Sequence, residues 1–178
     1  MKDAGQVILT TPLEGLANEL CEVVKLFYHI DGFSVNPGAA EGEPSLLIRH
    51  HFERTGMECR CSFAVGGERQ EKTLLLPTVE PERQELIEKR LIKRLCKVTL
   101  YELLKGLTGR RPPWGSLTGI RPTRLIYEGL ADGLTMDEAC ARVERTFDVL
   151  PEKVALLREI VEVQRTLPEP GPEEADLY

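Results

Sequence analysis

The chain contains no apolar run near the roughly 18 residues that a membrane span needs, and its start, MKDAGQVILTTPLEG, has no apolar segment of the kind found in secretory signals. A cytoplasmic protein with no membrane partner is the expectation from these two absences. The five cysteines (Cys21, Cys59, Cys61, Cys96 and Cys140) form no C-x-x-C pair, so no zinc or dithiol motif is spelled out. Free thiols in a reducing compartment are expected. Cys59 and Cys61 share one face of an alternating run, with Cα atoms about 6.6 Å apart at strand rise. Histidine is scarce: His29, His50 and His51 are the three. His50 and His51 are neighbours on a strand and face opposite ways, so they do not ligate one metal together. No G-x-S-x-G, phosphate-binding loop or G-x-G-x-x-G occurs, so no nucleophile elbow or nucleotide cradle is present. The sequence therefore offers neither a catalytic residue nor a metal ligand. Basic residues are outnumbered, giving a net charge of −6, which argues against non-specific nucleic-acid binding by the whole surface.

What is present suits a soluble globular protein: 178 residues, 42% hydrophobic and 29% charged, enough for one domain or two small ones with a real core. VILTT, residues 7–11, reads as a short strand stopped by Pro12. Leu16, Leu20, Val23, Val24 and Phe27 recur at helical spacing, and Asp31-Gly32 marks the end of that helix. SVNPGAAEGEP reads as a loop. The period then changes to two. LLIRHHFER places Leu46, Ile48, His50 and Phe52 on one face, and MECRCSFAV places Met57, Cys59, Cys61, Phe63 and Val65 on one face. Gly66-Gly67 between alternating runs predicts a tight hairpin. An antiparallel meander follows, ending in ERQEKTLLL.

The second half is helical. A long helix opens at Pro81 and closes at Gly109. TRLIYEGLADG is a short helix, Thr135 and Glu138 form a capping-box pair, and a last helix opens near Pro151. PEPGPEE reads as an exposed linker. The expected class is α+β: a β-α-β-β-β unit with an antiparallel sheet over 1–79, a helical unit over 80–168, and a linker over 169–178.

One stretch interrupts the helices: RRPPWGSLTGIRPTRL, residues 110–125, which carries the single Trp. Pro112-Pro113 breaks the preceding helix. Trp114 is the structural anchor, because a large ring buries area while its N–H seeks an acceptor. Pro122 presets the next helix. Thr118, Gly119, Arg121, Thr123 and Arg124 are the candidate anion-binding residues, with Arg121 and Arg124 expected to converge on the free N–H groups at the helix start. Arg110 and Arg111 are further candidates. The competing reading is a packed connector whose arginines pair with glutamates such as Glu128.

PWGSLTGIRPTRLIYEGLADG resembles a stretch found upstream of the radical-SAM core in coproporphyrinogen dehydrogenase-like proteins, the group related to oxygen-independent coproporphyrinogen III oxidase. EKVALLREIVEVQ resembles the helix that follows in that group, and ADLY the lead-in to its barrel. The first half agrees only in the order of its elements. The group's C-x-x-x-C-x-x-C motif is absent here. The resemblance implies an N-terminal accessory domain, inactive by itself, of an oxidoreductase of porphyrin and haem biosynthesis. In such a protein the following domain binds a [4Fe–4S] iron–sulfur cluster and S-adenosylmethionine, and a deoxyadenosyl radical drives decarboxylation of the propionates of coproporphyrinogen III to vinyl groups, giving protoporphyrinogen IX. Expected partners are that domain and a tetrapyrrole; the tetrapyrrole's propionates and the carboxylate of S-adenosylmethionine are candidate anions for the connector. The alternative is a polyanion-binding or nucleic-acid-binding module built on the basic region 83–124: Arg83, Lys89, Arg90, Lys93, Arg94, Lys97, Lys105, Arg110, Arg111, Arg121 and Arg124. Interspersed glutamates dilute that patch and place this alternative second.

Overall fold

A computed structural model describes residues 2–38 and 46–167. The linker expected over 169–178 and most of the SVNPGAAEGEP loop lie outside the described residues. The class is α+β, as the sequence indicates. The chain divides into two units at Pro112/Pro113.

The first unit is built on a five-stranded sheet of order β2-β1-β3-β4-β5. The strands are β1 (Lys2–Thr10), β2 (Tyr28–Val35), β3 (Leu46–Thr55), β4 (Glu58–Val65) and β5 (Glu68–Leu75), with α1 (Ala17–Lys25) crossing between β1 and β2. The meander β3-β4-β5 is antiparallel, as read from its alternation. Gly66 and Gly67 take φ of 57° and 99° in the two-residue turn between β4 and β5, a geometry L side chains disfavour.

Two expectations are corrected. The sheet is mixed, because β1 pairs in parallel with both β2 and β3. A strand also stands where a helix end and a loop were expected: α1 stops at Lys25, and Tyr28–Val35 joins the sheet. The Asp31-Gly32 pair that reads as a stop lies within this strand. Gly32 pairs with Gln6, and a Cβ at Gly32 would sit 2.1 Å from the Gln6 Oε1. The Gln6 side chain lies over this glycine, which sits in a strand and not in a turn.

The long helix α2 (Pro81–Thr108) starts with proline in its first turn and ends at Gly109, which takes φ of 66°. At 1.5 Å per residue it is about 42 Å long. Its first turns are largely exposed, and burial begins at Leu95. From there Leu95, Cys96, Leu100, Tyr101, Leu103 and Leu104 join Val7, Leu9, Ile48, Cys61 and Phe63 of the sheet, and Leu20, Val23 and Val24 of α1, in one core. The expected boundary at residue 79/80 thus separates a sheet from the helix that shares its core.

The second unit contains α3 (Pro122–Ala131), α4 (Met136–Phe147) and α5 (Pro151–Thr166) around a separate core of Leu125, Ile126, Val143, Phe147, Leu157 and Val161. The Thr135–Glu138 capping box forms: Thr135 Oγ1 accepts from the Glu138 N–H at 3.3 Å, and the Thr135 N–H donates to Glu138 Oε2 at 2.8 Å. Among the described residues, no helix is long and apolar enough to cross a membrane.

Two substitutions test these assignments by urea denaturation. Gly106 lies inside α2 with open space around its Cβ position, so Gly106→Ala stabilises by about 0.5–1 kcal/mol. Thr135→Ala removes the α4 cap and costs about 1 kcal/mol.

Candidate functional site

The 113–125 stretch has two parts of different character. The first closes the corner between α4 and α5. The Pro113 carbonyl accepts from the Leu150 N–H at 3.0 Å. The Ser116 N–H and hydroxyl both donate to the Phe147 carbonyl, at 2.8 and 3.3 Å. That carbonyl lies at the end of α4, and Ser116 reaches it from outside the helix. Asp148 turns the corner with φ of 57°.

Gly115 explains the third letter of P-W-G. Its φ is +56°, and a Cβ there would lie 1.8 Å from the Phe147 carbonyl oxygen. Both the backbone conformation and the close approach demand glycine. Trp114 is half-buried and packs against the core of this unit. The Lys153 ammonium lies 5.6 Å from its ring centroid, within cation–π range.

The second part faces outward. Leu117 is buried, Thr118 half-buried, and Gly119 and Arg121 exposed. Arg121 is the N-cap residue of α3. Its side chain makes no capping hydrogen bond, Pro122 follows, and the first turn holds no acidic residue. Pro122 has no N–H, and the Arg124 N–H donates to the Arg121 carbonyl at 3.1 Å. Thr123 lies in that first turn. Arg124 reaches along the helix and pairs with Glu128, Nε to Oε1 at 3.2 Å, as the connector reading expected for this residue. Arg110 donates to the Phe27 carbonyl at 3.2 Å in the first unit. Within the basic region, Lys89 pairs with Glu85 at 2.6 Å, Lys93 with Glu19, and Lys97 is buried.

The sequence missed a second constellation. His50 of β3, Cys61 of β4 and Cys96 of α2 meet inside the first unit. The His50 Nε2 lies 3.4 Å from Cys61 Sγ and 3.8 Å from Cys96 Sγ. The Cys61 thiol is held down at about 6, first by its hydrogen bond with Cys96, against the opposing effect of burial, and then by His50 and Thr99. The same hydrogen bond, together with burial, pushes the Cys96 thiol up. One available signal was that His50 and Cys61 each lie on the inward face of an alternating run. Cys96 comes from a helix 35 residues beyond Cys61, so no local spacing announces the group.

The chain is 26% identical over 159 residues to the oxygen-independent coproporphyrinogen-III oxidase-like protein HemZ of Bacillus subtilis (strain 168). The match covers 88% of this chain and 29% of that protein, so the chain spans less than a third of the length of this curated relative. No family model and no solved structure matches. The similarity agrees with the resemblance carried by the PWGSLTGIRPTRL stretch: the chain is a distant relative of a coproporphyrinogen-III oxidase-like protein.

The corner geometry sets an order of mutational cost. Gly115→Ala destabilises the second unit by about 3 kcal/mol or more, because a backbone oxygen cannot yield as a side chain can. Trp114→Ala costs about 2 kcal/mol, less than for a fully enclosed ring. Arg124→Ala changes stability by no more than about 0.5 kcal/mol, since its ion pair is exposed. Urea midpoints followed by the far-ultraviolet signal check this order.

Proposed function

We propose that this chain is the N-terminal accessory region of a radical-SAM, coproporphyrinogen dehydrogenase-like oxidoreductase of haem biosynthesis, and that it carries no cluster chemistry itself. The observation that carries the reading is the match to the coproporphyrinogen-III oxidase-like relative, which takes in most of this chain and a minor share of that protein. The thiols here do not fit a [4Fe–4S] cluster. No C-x-x-x-C-x-x-C spacing occurs, and among the described residues the metal-capable group contains two cysteines, Cys61 and Cys96. The cluster and the S-adenosylmethionine therefore belong to a further domain in this proposal, and no step is assigned to them here.

Two surfaces suit an accessory role. On α5, Leu156, Ile160 and Val163 are 40%, 37% and 60% exposed, and Leu167, just past its end, is 61% exposed. They recur at helical spacing and form an apolar stripe on the side away from the buried Val154, Leu157 and Val161. This stripe is proposed to dock the catalytic domain. The start of α3, with Thr118, Gly119, Arg121, Thr123 and Arg124, is proposed to hold a carboxylate, either a tetrapyrrole propionate or the carboxylate of S-adenosylmethionine. An anion there competes with Glu128 for Arg124.

Reconstitution with iron and sulfide tests the proposal. The chain alone gives no stable cluster absorbance and no cleavage of S-adenosylmethionine. A stable cluster accompanied by cleavage overturns the reading.

A further inference from the structure

His50, Cys61 and Cys96 are brought together by the register of the sheet and the packing of α2. His50 pairs with Phe63, and Phe52 with Cys61. Cys61 is therefore the diagonal neighbour of His50 on the adjacent strand and shares its inward face. The second half of α2 lies over this face and adds Cys96. His50 is 6% exposed and both thiols are fully buried. The three donor atoms all lie within 4.8 Å of one another.

The two nitrogen–sulfur separations are those of a coordination shell. With Zn–S about 2.3 Å and Zn–N about 2.05 Å, a tetrahedral ion holds nitrogen and sulfur about 3.6 Å apart. The observed N···S distances are 3.4 and 3.8 Å. The imidazole is also held from behind. Its Nδ1 lies 2.8 Å from Thr11 Oγ1, which accepts from the Leu13 N–H at 3.0 Å. Thr11 is fixed in turn by Asn36, which accepts from the Thr11 N–H and donates to the Thr11 carbonyl, both at 2.8 Å. Phe63 stacks on the imidazole at 4.2 Å and 8°. With the proton on Nδ1 and donated to the Thr11 hydroxyl, the Nε2 lone pair is available to an ion beside the sulfurs, the arrangement that orients metal-binding histidines.

We propose that His50, Cys61 and Cys96 form a buried site for a thiophilic divalent ion of the zinc class. Each thiol gives up its proton to solvent on binding, and the imidazole binds in its neutral form. Two thiolates and one dication leave no net charge in the core, which burial requires. Soft sulfur donors with one imidazole select zinc over magnesium or calcium. Because the site is enclosed, the ion acts as a clip joining β3, β4 and α2, not as a reaction centre. The proposal does not depend on the proposed catalytic partner domain.

The full 178-residue chain is refolded under reducing, oxygen-free conditions with Co²⁺ as the probe, and Zn²⁺ is then added. The expected result is a cobalt–thiolate charge-transfer band saturating at one ion per chain and displaced by Zn²⁺. Cys61→Ala and Cys96→Ala each weaken binding by more than about 100-fold, Thr11→Val weakens it by about 10–100-fold, and Cys59→Ala leaves it unchanged. X-ray absorption of the zinc-loaded wild-type chain covers the case in which a variant does not fold. A shell with two sulfurs and one imidazole supports the site. Absence of the cobalt band, its survival in a folded Cys61→Ala or Cys96→Ala chain, or any other sulfur count overturns it.

Discussion

Burial of the second half of α2 against the sheet holds the first unit together. The sheet offers one apolar face, and α1 is only nine residues long. Leu100, Tyr101 and Leu104 supply most of what covers the rest, and each is essentially removed from water. A fully buried large apolar side chain contributes roughly 1.5–3 kcal/mol, so this half-helix brings several times that amount to the core. Tyr101 also meets Phe27 with ring centroids 5.4 Å apart, linking α2 to the end of α1. The same packing sets the chemistry inside. Without α2 over them, His50 and Cys61 would face water and Cys96 would be elsewhere.

The second unit depends on a different constraint, the close approach of two backbones at Gly115. The P-W-G-S segment satisfies a carbonyl at the end of α4 and accepts an N–H at the start of α5. This is structural work, and it accounts for the glycine. The T-G-I-R-P-T-R segment that follows leads into α3. Gly119, Ile120 and Arg121 are exposed, and α3 begins without a side-chain cap. This exposed helix N-terminus is where the proposed carboxylate binding is placed.

Much of the fold was legible because local signals and tertiary packing agree. The meander was written in period-two alternation, its hairpin in Gly66-Gly67, and the helix limits in Pro81, Gly109, Thr135 and Pro151. Strand β2 was not legible. Tyr28–Val35 carries an Asp-Gly pair that by itself signals a turn, and only its pairing with β1 makes it a strand. The parallel pairing was equally hidden, since alternation does not reveal strand direction. Within the connector, the start of α3 could be read from Pro122, whereas the reason for Gly115 lies 32 residues away at Phe147. The histidine–cysteine group was missed for the same reason. Its members are adjacent only after β3 and β4 pair in one register and α2 packs over them.

The proposed accessory region supports chemistry that the proposal assigns to another domain. The most direct measurement takes a protein in which this chain precedes the proposed radical-SAM domain and compares its coproporphyrinogen III turnover with that of a version lacking residues 1–167. The account predicts that the shortened protein keeps its cluster and loses most of its turnover. Undiminished turnover without these residues would contradict it.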